Sequence, residues 1–231
     1  RRNMVATGKM SLAVHEFALY DQIFSNSEAF LCRPQPGYER CDYVFFPGCQ
    51  ACADAPETVW RAWRDLSGRL SGGVGIQLGC CGVMSRWAGR EELFEETRAQ
   101  LSAALKSLGN PKIITACPTC TSTLSELGDC AGVWDILLDI GLPDCAPAAC
   151  GSVTLHDACG ARGDAHTQNS IRALAEKLGC TVAEPEYSGD RAPCSGYGGL
   201  VAYAKPEISR EITDFALADC MGPQLTYCMG C

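Results

Sequence analysis

The stretch Gly79-Cys80-Cys81-Gly82 constrains this chain more than any other. Adjacent cysteines do not readily bond each other, because the eight-membered ring strains the peptide between them. Flanking glycines let backbone approach closely whatever the sulfurs hold. Thirty residues separate Cys49 from Cys80 and thirty-five separate Cys81 from Cys117, so the first half reads C-x30-C-C-x35-C-x2-C, ending at Cys120. Five thiols in this array suit a polynuclear metal centre, since thiolates are the usual ligands of iron–sulfur clusters.

The array returns. Cys159, Cys194, Cys228 and Cys231 follow Cys49, Cys80, Cys117 and Cys120 at offsets of 110, 114, 111 and 111 residues, with Ser195 in the place of Cys81. Short apolar segments precede each cysteine loop and amphipathic ones follow. Strands are expected at 43–46, 74–78, 113–116, 153–156 and 224–227, and helices at 56–70, 91–108, 166–178 and 207–218. The segment 191–194 leads into Cys194. The predicted fold is therefore α/β: two pseudo-symmetric Rossmann-like halves with the cysteines at the carboxyl ends of parallel strands. Residues 1–40 are read as an N-terminal helical segment and linker, 41–150 as the first half and 151–231 as the second. Residues 32–40 are the linker proper, 129–150 join the halves, and the second half is expected to be truncated at its C-terminus.

Seventeen cysteines would make a disulfide framework in a secreted chain. Here their number is odd, and no signal peptide or bilayer-length apolar run accompanies them, so the expectation is a reducing cytoplasm without a transmembrane segment. Cys32, Cys41, Cys130, Cys145, Cys150, Cys180 and Cys220 fall outside the repeat and read as small buried hydrophobes. The net charge of −8, with no basic run, excludes nucleic acid as the expected partner. The 47% apolar content is ample for a buried core.

Around the cysteines stand Phe45-Phe46-Pro47-Gly48-Cys49, Ala116-Cys117-Pro118-Thr119-Cys120 and Leu155-His156-Asp157-Ala158-Cys159. With these, residues 40–231 resemble the cysteine-rich CCG domain of the heterodisulfide reductases and their relatives. The resemblance implies a non-cubane 4Fe-4S cluster at Cys49, Cys80, Cys81, Cys117 and Cys120, with Cys80 and Cys81 at the catalytic side. It implies a second centre at Cys159, Cys194, Cys228 and Cys231, whose type Ser195 leaves open between iron–sulfur and zinc. Disulfide reduction is the implied activity. Implied partners are a ferredoxin-like iron–sulfur domain or subunit, a flavoprotein electron donor or acceptor, and a small thiol or disulfide substrate.

Other readings stay open at this level. The protein could be a non-catalytic electron-transfer subunit of a flavin dehydrogenase complex, or a zinc-stabilised structural domain, because C-x2-C with two more thiolates makes a tetrahedral site. Cys117-x2-Cys120 also has the form of a redox dithiol. His156 is a candidate cluster partner, with His15 and His166 weaker. Arg86 and Arg162 read as charge compensation for clusters or as an anion site, and Trp60, Trp63 and Trp87 as core or contact residues. The stretch Gly196-Tyr197-Gly198-Gly199 lacks a phosphate-loop register and reads as room for backbone beside the second centre.

Overall fold

The computed structural model describes residues 31–144 and 151–231. The helical reading of the first thirty residues, and Cys145 and Cys150, lie outside the described residues.

In chain order the elements are β1 (Leu31–Arg33), β2 (Tyr43–Phe46), α1 (Cys49–Asp54), α2 (Pro56–Arg69), β3 (Val74–Leu78), α3 (Val83–Ala88), α4 (Glu91–Ser107), β4 (Lys112–Thr115), α5 (Pro118–Leu124), β5 (Cys130–Gly132) and α6 (Val133–Ile140). The second half adds β6 (Gly151–His156), α7 (Ala165–Lys177), β7 (Cys180–Ala183), α8 (Val201–Ala204), α9 (Pro206–Leu217) and β8 (Gln224–Thr226). The first sheet has the order β1-β3-β2-β4-β5 and the second β7-β6-β8. All neighbours are parallel except β1, which runs antiparallel along β3. The cores of the two sheets superimpose in plan: β3-β2-β4 corresponds to β7-β6-β8. Phe46 pairs with Thr115 as His156 pairs with Thr226.

Alternation along β2 builds the first half, because successive side chains leave a strand on opposite faces. Val44 and Phe46 pack with Leu101, Leu105 and Leu108 of the α4 side, whereas Phe45 packs with Val59, Trp63 and Leu66 of α2. A helix on each face explains why β2 and β4 carry near-continuous apolar runs. Trp63 buries its ring in this layer and donates its Nε1–H to the Val74 carbonyl at 2.9 Å. In the second half Leu155, Ile171 and Trp134 form one cluster, so α6 from the first half packs against the second.

Four expectations are corrected. Residues 129–150 are not a bare joiner, since they contain β5 and α6. Gly132 has no Cβ to collide with the Trp134 ring, which lies against it. Residues 32–40 are not all linker, because Leu31–Arg33 adds an edge strand, held by backbone pairing of Cys32 with Gln77. The strand ahead of Cys194 is β7, ten residues back, and the segment 184–193 between them includes a 3-10 turn at Gly189–Arg191. Its Thr-Val-Ala core is too short to stand out by periodicity. Cys180, read as a small buried hydrophobe, is disulfide-bonded at the start of β7; the other described cysteines form no disulfide.

Candidate metal centre

Three loops at the carboxyl ends of adjacent parallel strands carry the first cysteine set. After β2, Gly48 adopts φ +89°, and a Cβ there would lie 3.4 Å from Cys120 Sγ. After β3, Gly82 adopts φ +85°, and its missing Cβ would press on Thr97 and Phe94 at 3.1–3.2 Å. After β4, Cys117 caps α5, with Pro118 at its first position. The Cys80 sulfur meets those of Cys49 and Cys81, Cys81 meets Cys120, and Cys120 meets Cys117. Backbone N–H groups point at these sulfurs, among them Gly82 N–H at 3.4 Å from Cys80 Sγ and those of Thr119 and Cys120 toward Cys117. Such donors favour the thiolate, the metal-binding form.

Neighbouring thiols therefore divide between charged and neutral forms. Hydrogen bonds from Cys120 and Cys228 draw Cys117 down to about 3, and contacts with Cys120 and Cys80 hold Cys81 well below an ordinary thiol. Cys120 is pushed up by the same two neighbours, Cys117 and Cys81, and by burial. For Cys80 the Cys49 contact works downward, but Cys81 and burial prevail and push it up to about 12. Cys81 is buried in the core beside Phe46, while Cys80 is partly exposed.

Sequence reasoning passed over Cys52. It lies on α1 three residues after Cys49, and burial and the Cys49 charge push it up to about 11. The C-x2-C spacing was visible but was eclipsed by the longer array.

The second set repeats the geometry with different chemistry around it. Cys159 opens a 3-10 turn after β6, and Cys228 and Cys231 follow β8. Gly196 N–H lies 3.4 Å from Cys194 Sγ, matching Gly82 on Cys80. A Cβ on Gly198 would stand 3.6 Å from Cys194 Sγ and 3.9 Å from Cys159 Sγ, so the glycine-rich stretch does bring backbone up to these sulfurs. Cys194 is lowered to about 5 by Cys159, and Cys231 to about 5 by Cys228 with help from His156 and Ser195. Their neighbours Cys159 and Cys228 are raised. His156 Nε2 and Ser195 Oγ are buried and reach no partner in hydrogen-bonding geometry, although both face Cys231.

Asp157 ties the three loops of this half together. Its carboxylate accepts from Arg172 on α7 at 2.7 and 3.1 Å, from Gly189 N–H at 2.7 Å and from Tyr227 Oη–H at 2.9 Å. The two cysteine sets meet where Cys117 touches Cys228. Gly160 makes that approach possible, since a Cβ there would stand 2.6 Å from Thr119 Oγ1 and 3.0 Å from its backbone nitrogen. All nine array cysteines thus gather along one rim. Among the described residues the sulfurs of the first set run as a chain of contacts, and no three Cys, His, Asp or Glu side chains close around one point as a single-ion site.

The other described candidates have partners of their own, though Arg162 still carries its charge close enough to Cys159 to favour the thiolate, and Trp87 packs in the cluster that includes Cys80. Arg86 lies over the Phe94 ring and pairs with Glu126 at 3.5 Å, and Arg162 donates to the Ala192 carbonyl at 2.7 Å. His166 is exposed and pairs with Asp135 at 3.2 Å, and His15 lies outside the described residues. Trp63 is core, Trp87 is partly buried in a small cluster with Met84 and Leu200, and Trp60 is half exposed. A cavity of about 250 Å³ at the junction of the halves is lined by Ala116, Trp134, Ile171, Leu225 and Tyr227.

The same strand–cysteine geometry twice in one chain is what the family comparison matches: residues 43–125 and 153–231 each fit the CCG cysteine-rich domain. The chain belongs to the CCG cysteine-rich domain family. The two CCG repeats are the two halves described above. A relative named as an uncharacterized iron-sulfur protein of Methanococcus maripaludis is 25% identical over 185 residues, covering 75% of this chain and 36% of the relative. The chain thus spans about a third of the length of that protein. No helix among the described residues is long and apolar enough to cross a membrane.

Proposed function

We propose that this protein is an iron–sulfur electron-transfer module that reduces a small disulfide. In this reading Cys49, Cys80, Cys81, Cys117 and Cys120 hold a non-cubane 4Fe-4S centre, and Cys159, Cys194, Cys228 and Cys231 hold a second centre. The donor set fits such groups. Backbone N–H groups aim at the sulfurs, Gly48 and Gly198 leave space that a Cβ would take, and the buried His156 Nε2 and Ser195 Oγ at the second set have only the Cys231 sulfur beside them, without a well-aligned partner. Sulfurs strung in a chain also suit a polynuclear assembly, whereas a lone zinc ion draws four ligands to about 2.0–2.3 Å. The CCG membership and the iron–sulfur name of the relative support the same class.

The contact of Cys117 with Cys228 carries the proposal, because it brings the two sets edge to edge. When bound, such centres supply electrons one at a time, and two electrons with two protons convert a disulfide into two thiols. The chain's own residues stabilise thiolate with N–H groups and shield Cys81 in apolar packing. They leave Cys80 on the partly open side, where a sulfur substrate would approach. Ser195 favours assigning substrate chemistry to the first set and electron supply to the second. A flavoprotein or a ferredoxin-like domain would feed the second set.

The test is anaerobic purification, iron and sulfide analysis, and titration of the oxidised protein with small thiols and disulfides under electron paramagnetic resonance. The reading expects two centres, perturbation of the first alone, and disulfide reduction with a low-potential dye. If no compound perturbs either centre while both exchange electrons rapidly, the protein is a relay and not a reductase.

A further inference from the structure

The halves differ in a correlated way at the point where the second set lacks its fifth thiol. Phe46 and His156 are the last residues of β2 and β6, and their pairing with Thr115 and Thr226 shows that they occupy the same register. In the first half Phe46 packs with Cys81 and Cys120 in one buried cluster. In the second half the matching trio is His156, Ser195 and Cys231, and the imidazole and the hydroxyl both face the Cys231 sulfur. Where the ligand thiol becomes an alcohol, the inert phenyl ring beside it becomes a ring with a lone pair.

That ring is 7% exposed, and its Nε2 has no partner in hydrogen-bonding geometry. With only the Cys231 sulfur beside it and no well-aligned partner, a buried polar nitrogen is destabilising, so a histidine here calls for an occupant. Leucine or phenylalanine would serve packing alone, as Phe46 does across the pseudo-symmetry.

We infer that His156 Nε2 is the fifth protein ligand of the second centre, supplying the donor that Ser195 withdraws. The inference rests on the reading that Cys159, Cys194, Cys228 and Cys231 hold a metal centre. Imidazole nitrogen is a good iron ligand. Replacing a thiolate by a neutral nitrogen also raises a cluster's reduction potential. The chain thereby makes two unlike centres from one duplicated frame, the second a better electron acceptor than an all-thiolate counterpart.

The experiment is electron–nuclear double resonance on the full chain, anaerobically purified, with natural-abundance and 15N-labelled histidine. The chain has three histidines, which keeps the assignment narrow. A strong coupling of directly bonded nitrogen is expected in the wild type, shifted by the label, kept in Ser195→Ala and lost in His156→Phe. The double variant His156→Phe with Ser195→Cys should keep full iron and show a lower potential and a spectrum like the first centre's. A second centre present without nitrogen coupling, or a coupling that survives His156→Phe, overturns the ligand assignment alone. Absence of any second centre from the wild type overturns the functional reading with it. If His156→Phe fails to fold, the labelled wild-type spectra decide.

Discussion

Replacing Asp157 by Ala should cripple the second half while sparing the first. The side chain is 1% exposed and paired with Arg172, whose side chain is 23% exposed and keeps Glu184 at 2.7 Å as a second partner. Removing one member of a buried ion pair costs about 3–5 kcal/mol, and the surviving Glu184 contact sets the expectation for the charge alone at the low end. Gly189 N–H and Tyr227 Oη–H also lose their acceptor, each worth about 1–3 kcal/mol if it stays buried and unpaired. These losses overlap, and the expected total is about 4 kcal/mol, a large part of the 5–15 kcal/mol that holds a typical domain. Asp157→Asn, which keeps one acceptor oxygen, should cost about half as much.

The assay is denaturant unfolding of the anaerobic protein, with iron content and the spectrum of each centre followed in parallel. The second centre should be lost first, because Asp157 joins the loops that lead to Cys159, Cys194 and Cys228. Burial alone would raise the Asp157 pKa, but Arg172, Gly189 N–H and Tyr227 hold it below the usual carboxylate value. Its stabilisation is therefore fully present above the unfolded-state pKa of about 3.9 and is lost as pH falls through the lower folded value. The gap between wild type and Asp157→Asn should stay constant from neutral pH to about 5 and close below about 4. A loss under 1 kcal/mol for Asp157→Ala, or equal loss of both centres, would refute the reasoning.

Two further outcomes are expected. Cys81→Ala should lower the iron content and change the spectrum of the first centre without touching the second, and unchanged iron would remove Cys81 from the ligand set. Arg69 donates to the carbonyls of Ile140 and Gly141 at 2.5 and 2.7 Å, closing the C-terminus of α6. Arg69→Ala should cost about 1–3 kcal/mol, as hydrogen bonds from a charged donor do, read as a lowered denaturation midpoint at unchanged slope.

Most of the strands that lead into cysteine loops, and the longer amphipathic helices between them, were legible because each follows from local pattern. Residues 43–46 and 74–78 form strands at the predicted bounds, and α2, α4, α7 and α9 fall within one residue of the predicted helices. The elements that escaped are those whose support is not local. β1 has three residues and exists because an edge of β3 was free to pair. α6 belongs to the first half in sequence but buries Trp134 against Leu155 and Ile171 of the second. β7 is four residues of modest pattern, made a strand by backbone pairing with β6.

The sequence by itself determined the duplicated frame, because register in a parallel sheet and the order C, C-C, C-x2-C are both written along one chain. Family and candidate cysteines were readable from that order alone. Only the tertiary structure decided which groups share the sulfurs' surroundings. Cys117 and Cys228 are 111 residues apart and touch. Asp157, an unremarked neighbour of Cys159 in sequence, reaches Arg172, Gly189 and Tyr227. His156 and Ser195 face one sulfur, and Phe46 and Cys81 hold the same places across the pseudo-symmetry. Spacing specifies how far along the chain a side chain lies, whereas burial, partner and charge depend on which loops fold over the same strand ends.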